Sequence, residues 1–216
     1  MCNVRVIEFF IQNIYRGEFE GKSVIEVGSQ YINGSVRPFI EKFARPEFYV
    51  GVDISTGKFV DEIVPGEKLV DKFGKDRFDI VVSTEMLEHV KNWRSVVNNL
   101  KEILKPDGYI YITTRSRGFG YHAFPYDFWR YEIEDIQKIF SDFEIICLEK
   151  DTEPGVLLKV KKPLNWKQRD LEGIELYSII LNKRTSFIPE KMPIFTEFKI
   201  KLGMAIHRVA DIVRSH

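Results

Sequence analysis

The sequence contains few cysteines, no excess of charge of either sign and no long apolar segment. Its 2 cysteines, Cys2 and Cys147, form neither a disulfide framework nor a metal-ligand spacing. This pattern indicates a reducing compartment, and we expect a cytoplasmic location. The 32 basic and 32 acidic residues cancel, so nucleic acid is not expected as a partner. The apolar runs stay below the ~18 residues of a membrane-spanning helix, so no span is expected.

The sequence does contain enough apolar material for one ordinary core. Of its 216 residues, 44% are hydrophobic and 30% are charged, which is typical of a globular domain with an extension. Short β-branched runs alternate with segments of helical periodicity. Strands are predicted at 23–27, 48–54, 59–64, 78–83, 109–114, 143–149 and 156–160, and helices at 4–15, 35–44, 93–104 and 132–140.

This alternation predicts an α/β fold with a doubly wound, mostly parallel sheet of seven strands. The run at 78–83 is apolar almost throughout, as in a parallel strand that is buried on both faces. The last two strands are joined by residues 151–155, a turn that pairs them antiparallel. We therefore expect one terminal antiparallel strand in the sheet.

The pattern changes after Pro163, which divides the chain into a main domain at 1–163 and an extension at 164–216. The extension contains an apolar run at 174–181, predicted as a strand, and an amphipathic helical pattern at 195–213. We expect the extension to pack on the core or on a partner subunit in a homodimer. Docking on a membrane surface is the alternative, but the helix has few strong apolar anchors.

The first predicted strand is followed by a loop that fits a nucleotide-like ligand. Glu26 lies near the end of the apolar run, Gly28 follows two residues later, and a helix begins after the loop. At such a junction backbone N–H groups are free to bind a ligand. Gln30 and Ile32 crowd the turn, so the loop departs from the G-x-G-x-x-G fingerprint of dinucleotide sites.

Further patterns agree with a ligand at this loop. Asp53 ends the second strand, Phe-Asp-Ile-Val-Val-Ser-Thr-Glu-Met-Leu-Glu-His-Val stands at 78–90, and Leu-Lys-Pro-Asp-Gly-Tyr-Ile-Tyr-Ile-Thr stands at 104–113. Together they resemble the class I S-adenosylmethionine-dependent methyltransferases, above all small stand-alone members associated with glycan or lipid modification. The resemblance covers residues 22–162 and implies a Rossmann-like methyltransferase fold with S-adenosylmethionine as cofactor.

The resemblance implies a cofactor-binding set near the strand ends: Glu26, Gly28, Ser29, Gly34, Asp53, Ile54, Ser83 and Thr84. In this set, Asp53 would accept the two ribose hydroxyls, which suits an ionised carboxylate. Ile54 would pack on the adenine. Family members often carry an acid after strand three that binds the adenine amino group. Here Pro65 takes that position, which leaves a backbone group or Glu67 for this role.

A segment with seven aromatic residues, 118–131, is predicted to form the acceptor side. Similar His-x-x-Pro-x-Asp-x-Trp-Arg segments occur in the resembling family. In one interpretation the segment covers the acceptor pocket, and His122, Asp127 and Tyr121 are the catalytic residues, with one of the first two taking a proton. In the other it is an aromatic plug in which Asp127 pairs with Arg130. The two are compatible if Arg130 is scaffold while Tyr121 and His122 face the substrate.

Glu85 and His89 lie four residues apart and are predicted on one helical face. No third ligand is near in sequence, so a hydrogen-bonded helix start is favoured over a catalytic or metal pair, and no metal is expected. Cys147 falls in a predicted strand and is interpreted as a buried residue rather than a nucleophile.

The function that these patterns favour is methyl transfer from S-adenosylmethionine to an oxygen or nitrogen of a small molecule, glycan or lipid precursor. An NAD-dependent oxidoreductase on a similar sheet is the alternative enzyme, against which the crowded turn at Gln30 argues, since a pyrophosphate needs close backbone approach. A methyltransferase-like module that binds without catalysis is a second alternative, motivated by Pro65 and the long extension.

Overall fold

The computed structural model describes residues 3–123 and 125–190, and the predicted helix at 195–213 lies outside this part of the chain. Its α-helices are α1 Val4–Asn13, α2 Arg16–Phe19, α3 Arg37–Phe39, α4 Leu69–Phe73, α5 Trp93–Ile103 and α6 Ile133–Ile139. A π-helical turn, Ile40–Ala44, extends α3, and 3-10 turns lie at Gly66–Lys68 and Leu87–His89. None of these described helices has the length and apolar character needed to cross a lipid bilayer.

The strands form a large sheet and a small one. They are β1 Ser23–Val27, β2 Phe48–Asp53, β3 Glu62–Ile63, β4 Phe78–Thr84, β5 Leu104–Arg115, β6 Trp129–Arg130, β7 Glu144–Lys150, β8 Gly155–Lys161, β9 Leu176–Ser178 and β10 Lys183–Thr185. The large sheet has seven strands in the order β3-β2-β1-β4-β5-β8-β7. Its pairings are parallel except those of β8, which is antiparallel to β5 and β7. The predicted seven-stranded sheet with one reversed strand is confirmed.

Side chains of the central strands alternate between two apolar cores, one on each face of the sheet. On β4, Ile80 and Val82 belong to the core that contains Phe10 of α1, while Val81 belongs to the core that contains Leu100 of α5. The interior strands are thus apolar on both faces, which requires helices on both sides. This doubly wound arrangement brings the carboxyl ends of β1, β2 and β4 to one edge of the sheet.

Local capping chemistry explains where two helices begin. The side chain of Asn3 accepts a hydrogen bond from the backbone N–H of Val6 at 2.8 Å, which satisfies a free donor at the start of α1. At α6, Glu132 and Asp135 form a capping box in which each side chain accepts from the other's backbone N–H. Both starts agree with the predicted helices within one residue.

The segments 59–64 and 66–73 differ from the sequence prediction. The strand predicted at 59–64 is reduced to β3, because Phe59 has a left-handed φ of 70° that interrupts the extended backbone. The turns from Gly66 to Phe73 are helical, whereas no helix is predicted there, since one or two short turns carry too few residues for a recognisable periodicity.

The small sheet joins segment 118–131 to the extension. It has the order β10-β9-β6, and Tyr177 of β9 pairs with Arg130 of β6 on one side and with Arg184 of β10 on the other. The strand predicted at 174–181 is present only as β9.

Arg94 of α5 fastens the described part of the extension to the main domain. Its guanidinium donates hydrogen bonds to the backbone oxygens of Leu171 at 3.0 Å, Ser186 at 2.7 Å and Ile174. Leu176, beside these carbonyls, is buried in the same apolar core as the main sheet. These contacts hold residues 171–186 against α5 and the apolar core.

Candidate functional site

A cavity of about 570 Å³ lies at the carboxyl ends of β1, β2 and β4. This volume is in the range of sites that enclose a nucleoside-sized molecule. Several predicted site residues line it: Glu26, Gly28, Ser29, Gly34, Asp53, Ile54, Thr84 and His122. In the described part of the chain, three predicted site residues do not line the cavity: Ser83, Tyr121 and Asp127. Ser83 and Asp127 are fully buried.

Gly28 gives the loop after β1 its shape. Its φ is +80°, and its backbone N–H donates to the Val52 oxygen at 2.9 Å, beside a second bond from Ser29 N–H at 3.1 Å. A Cβ at this position would lie 2.6 Å from Cγ of Met86, which also lines the cavity. Only glycine fits this conformation and this close approach.

Asp53, at the end of β2, is held by the same loop. One carboxylate oxygen accepts from Gln30 N–H at 3.1 Å, and the other accepts from Ile54 N–H at 2.7 Å. Each oxygen can accept further hydrogen bonds. The side chain is half-buried at the cavity wall, so a fixed carboxylate is presented there with acceptor capacity for a ligand.

Glu26 lies at the cavity wall but is almost fully buried. Burial raises the pKa of Glu26 from 4.5 to about 7, and a hydrogen bond from Tyr49 and the charge of Arg37 oppose the shift only partly. Glu26 is therefore a carboxyl whose charge changes near neutral pH.

The wall after β3 bears on adenine recognition. Val64, Gly66 and Glu67 line the cavity, and Pro65 precedes the 3-10 turn at Gly66–Lys68. Within the described residues, this segment therefore brings two kinds of polar group to the cavity: the Glu67 side chain and the backbone of the 3-10 turn.

Glu85 and His89 line the same cavity but have different partners in the structure. Glu85 has a left-handed φ of 53° and forms a buried ion pair with Arg115 of β5. Burial and the neighbouring Glu88 raise the pKa of Glu85, while Arg115 opposes this shift. The expectation that Glu85 and His89 share a helical face is wrong, because Glu85 itself is left-handed and the 3-10 turn begins only at Leu87.

His89 instead faces His122, a residue 33 positions later in the chain. Their Nε2 atoms lie 3.2 Å apart, and both rings line the cavity. Two hydrogen bonds hold the segments together: Phe128 N–H donates to the Glu88 oxygen at 2.9 Å, and the Trp129 indole donates to the Lys91 oxygen at 3.2 Å. This contact depends on long-range pairing, so no spacing in the sequence could reveal it.

Asp127 is buried behind His122. It forms a two-pronged ion pair with Arg130 at 2.6 and 2.9 Å, and its Oδ2 lies 3.0 Å from His122 Nδ1. Burial disfavours the charged form, but the hydrogen bonds from Arg130 and His122 outweigh it and hold the pKa of Asp127 well below its usual range. Asp127 therefore stays a carboxylate that orients the imidazole of His122.

Tyr121 and the aromatic residues of the segment belong mostly to the core. Tyr121 is half-buried against the main apolar cluster, and burial together with Asp127 raises its pKa to about 12. Trp129 and Tyr131 are fully buried, whereas Tyr126 is exposed and lines the cavity. The segment thus combines both interpretations made from the sequence: a packed base and a cavity wall.

Sequence comparison identifies relatives of this chain. A profile described as methyltransferase domain matches residues 5–148. The ubiquinone biosynthesis O-methyltransferase of Actinobacillus pleuropneumoniae is 28% identical over 98 residues, which cover 45% of this chain and 40% of that protein. The match thus spans less than half of this relative's length.

Solved structures share the fold. An S-adenosylmethionine-dependent methyltransferase from Mesorhizobium loti has a TM-score of 0.56 at 14% identity, covering 74% of this chain and 98% of that one. The 1,6-didemethyltoxoflavin N1-methyltransferase of Burkholderia thailandensis, solved with its namesake compound and S-adenosylhomocysteine, has a TM-score of 0.51 at 12% identity. That match covers 67% of this chain and 72% of the Burkholderia chain.

Proposed function

Because this chain belongs to the methyltransferase domain family, we propose that it uses S-adenosylmethionine to methylate a hydroxyl oxygen of a small acceptor molecule, such as a metabolite or a glycan or lipid precursor. The observation that carries the proposal is a single cavity with an anchored carboxylate, Asp53, on one wall and two imidazoles, His89 and His122, on another. The family match also favours a methyl donor over the NAD alternative.

The first wall fits the cofactor by its chemistry. Asp53 has free acceptor capacity for the two ribose hydroxyls, and Glu26 supplies negative charge close to a loop that would receive the ammonium and sulfonium groups. Ile54, exposed and apolar at the wall, would cover the adenine ring. Glu67 would receive the adenine amino group in place of the acid that Pro65 displaces.

The second wall fits a hydroxyl acceptor. Nδ1 of His122 lies 3.4 Å from the Gly120 backbone oxygen and 3.0 Å from the Asp127 carboxylate, so this nitrogen carries the donor proton. The Nε2 lone pair can then accept a hydrogen bond and afterwards the proton of a hydroxyl. Asp127 is a positioning residue in this scheme. S-adenosylmethionine supplies an electrophilic methyl carbon, whose bond to sulfur breaks as the acceptor oxygen attacks from the opposite side. Alignment of the two reactants in one cavity would supply most of the rate.

Cofactor binding is tested by calorimetry with S-adenosylmethionine and S-adenosylhomocysteine. Asp53→Ala is expected to weaken both by about 10- to 100-fold, since hydrogen bonds to a charged group contribute about 1.5–3 kcal/mol. Asp71→Ala, which removes an exposed acid of α4, is the matched control and should bind as the wild type does. Equal affinities of Asp53→Ala and wild type would refute the assignment.

Methyl transfer is tested with labelled S-adenosylmethionine against phenols, aliphatic alcohols and amines. With the best acceptor, His122→Gln is expected to lower the rate by about 100-fold or more while cofactor affinity stays unchanged. Transfer to amines but not to hydroxyls would overturn the acceptor class. Cofactor binding without transfer to any compound of the panel would favour the binding module.

A further inference from the structure

Three ligand atoms of the kind that bind metals converge on the cavity wall. Nε2 of His89 and Nε2 of His122 lie 3.2 Å apart, and Oε1 of Glu88 lies 3.8 Å from the first and 4.0 Å from the second. The three residues come from two segments, the 3-10 turn at Leu87–His89 and the loop before β6. These atoms all lie within 4.8 Å of one another.

The outer nitrogen of each ring is already used as a donor. Nδ1 of His89 lies 2.6 Å from the backbone oxygen of Tyr126. Nδ1 of His122 lies 3.4 Å from the backbone oxygen of Gly120 and 3.0 Å from the Asp127 carboxylate. A nitrogen that donates to an oxygen carries the proton, so in each neutral ring Nε2 carries a lone pair. Two lone pairs at 3.2 Å repel each other unless a proton or a metal ion lies between them.

Glu88 supplies the negative charge. Its side chain is fully buried, and Oε2 accepts a hydrogen bond from the Thr114 hydroxyl at 2.9 Å. Within residues 3–123 and 125–190, Oε1 has no hydrogen-bond partner. A buried carboxylate oxygen without a partner is costly, and it is aimed at the two imidazoles.

We infer that Glu88, His89 and His122 bind a divalent transition-metal ion, with zinc the best match. Two imidazole nitrogens and one carboxylate oxygen are a known zinc donor set, in which bonds of about 2.0–2.2 Å place tetrahedral ligands about 3.3 Å apart. The two nitrogens already have this separation, and the carboxylate oxygen would approach by roughly half an ångström.

The surroundings have the features of such a site. A metal-binding histidine generally donates its other N–H to a carboxylate or a backbone carbonyl, and here Asp127 and Tyr126 are those partners. Three protein ligands leave a fourth position, as in catalytic zinc sites. Both histidines line the cavity, so this position faces the space assigned to the acceptor.

The role of the ion in catalysis, unlike its binding, rests on the proposed function. A hydroxyl bound at the fourth position would have a lowered pKa and would release its proton to solvent water. The oxygen lone pair would then form the bond to the methyl carbon while the carbon–sulfur bond breaks. With the ion bound, it would replace His122 as the group that promotes loss of the proton.

The chain allows a clean binding test because it has only 4 histidines and 2 cysteines. A full-length, tag-free background variant carries Cys2→Ser, Cys147→Ser, His207→Gln and His216→Gln, so that only the two histidines of the proposed site remain. Zinc is titrated by calorimetry and by competition with a chromogenic chelator, and Co²⁺ is added as a spectroscopic probe of four-coordinate geometry. One ion per chain is expected, with cobalt absorption typical of tetrahedral sites.

Substitutions at the site decide the outcome. Asp127→Asn, which changes a partner of the His122 ring and not a ligand, should weaken zinc binding by about 10- to 100-fold. His89→Ala and His122→Ala, which each remove a ligand, should weaken it by more than this. Glu88→Gln removes the negative charge but keeps an oxygen that can accept the hydrogen bond from Thr114. This variant is used if an alanine variant fails to fold. Circular dichroism and thermal unfolding show whether each variant is folded.

The result that overturns the inference is specific. It is refuted if the background variant shows no saturable binding of one zinc per chain, or if zinc affinity is unchanged by His122→Ala in a variant whose thermal unfolding matches that of the background protein. Zinc titration needs neither cofactor nor acceptor. A failure of the proposed methyl transfer would therefore leave the zinc result standing, and the reverse also holds.

Discussion

The hydroxyl of Tyr49 on β2 donates a hydrogen bond at 2.7 Å to the carboxyl of Glu26 on β1, a residue that lines the cavity. Burial raises the pKa of Glu26 to about 7, Tyr49 and Arg37 oppose the shift, and Glu41 and Asp61 add to it. The protonation of one buried carboxyl is therefore set by the strand beside it and by the charges near α3.

Cofactor affinity should depend on pH through Glu26. As pH rises through about 7, Glu26 ionises and attracts the ammonium and sulfonium groups of S-adenosylmethionine. We expect affinity to rise roughly tenfold between about pH 5.5 and 8, with release of a proton on binding at acid pH. Calorimetry in buffers of different ionisation enthalpy measures both the affinity and the number of protons released. Glu26→Gln should flatten the profile, whereas Glu41→Gln should keep it; an equally steep profile in Glu26→Gln would assign the effect elsewhere.

The same carboxyl should affect stability in the opposite direction. The folded-state pKa of Glu26 lies above its ordinary 4.5, so its contribution is fully present below about pH 4.5 and is lost as pH rises through about 7. Above that pH, Glu26→Gln should stabilise the cofactor-free protein by up to roughly 3 kcal/mol, the ceiling set by the pKa shift. Denaturant unfolding at about pH 6 and pH 8.5 compares the two proteins, and a gain that does not grow with pH would contradict the account.

Gly28 should tolerate no side chain. Gly28→Ala combines a positive φ with a Cβ that lies 2.6 Å from Met86 Cγ, and we expect a loss of about 1–3 kcal/mol of stability together with loss of cofactor binding. Gly17→Ala is the control, since that glycine lies in α2 with open space around it and should gain up to about 1 kcal/mol. The double variant with Met86→Ala should recover only the part due to the clash.

The Asp127–Arg130 pair should contribute far more than an exposed pair of similar geometry. Arg130→Met leaves the Asp127 charge buried and should cost about 3–5 kcal/mol. Lys68→Met removes one partner of the pair with Asp71, whose side chains are 66% and 70% exposed, and should change stability by less than about 1 kcal/mol. Denaturant unfolding compares both variants with the wild type; similar losses would show that Asp127 is solvated after all.

Arg94 should hold the described part of the extension in place. Arg94→Met removes the donors to three backbone oxygens, including those of Leu171 and Ser186, at a cost of about 1.5–3 kcal/mol. Hydrogen exchange should accelerate at residues 171–186 and stay unchanged in β1. Arg16→Met, at an exposed ion pair with Glu20, is the control and should leave exchange in this region as it is.

The large sheet could be predicted from the sequence because its signal is local. The apolar run of β4 implies burial on both faces, and the turn at 151–155 implies the β7–β8 pairing; the structure has both. The strand β6 has two residues, which are too few to show a strand periodicity in the sequence. Its partner β9 lies more than 40 residues later in the chain.

The candidate site divides in the same way. Asp53 and Gly28 follow directly from a strand, a turn and a resemblance, and both line the cavity. The contact between His89 and His122 requires the loop before β6 to be hydrogen-bonded to the 3-10 turn, which no periodicity encodes. The expectation of no metal is drawn from residues near Glu85 and His89 in sequence, whereas the proposed zinc site takes His122 from a segment 33 positions later.

The insertion of β8 between β5 and β7 has a consequence for synthesis. Until Gly155–Lys161 leaves the ribosome, β5 and β7 are edges with unpaired backbone groups, and the interior of the sheet is open. A nascent chain that stalls before this strand would expose two strand edges with unpaired backbone groups, which can pair with strands of other chains. The last strand of the large sheet to be synthesised, β8, is therefore the one that joins β7 to β5. The domain can complete its fold only after translation has passed this strand.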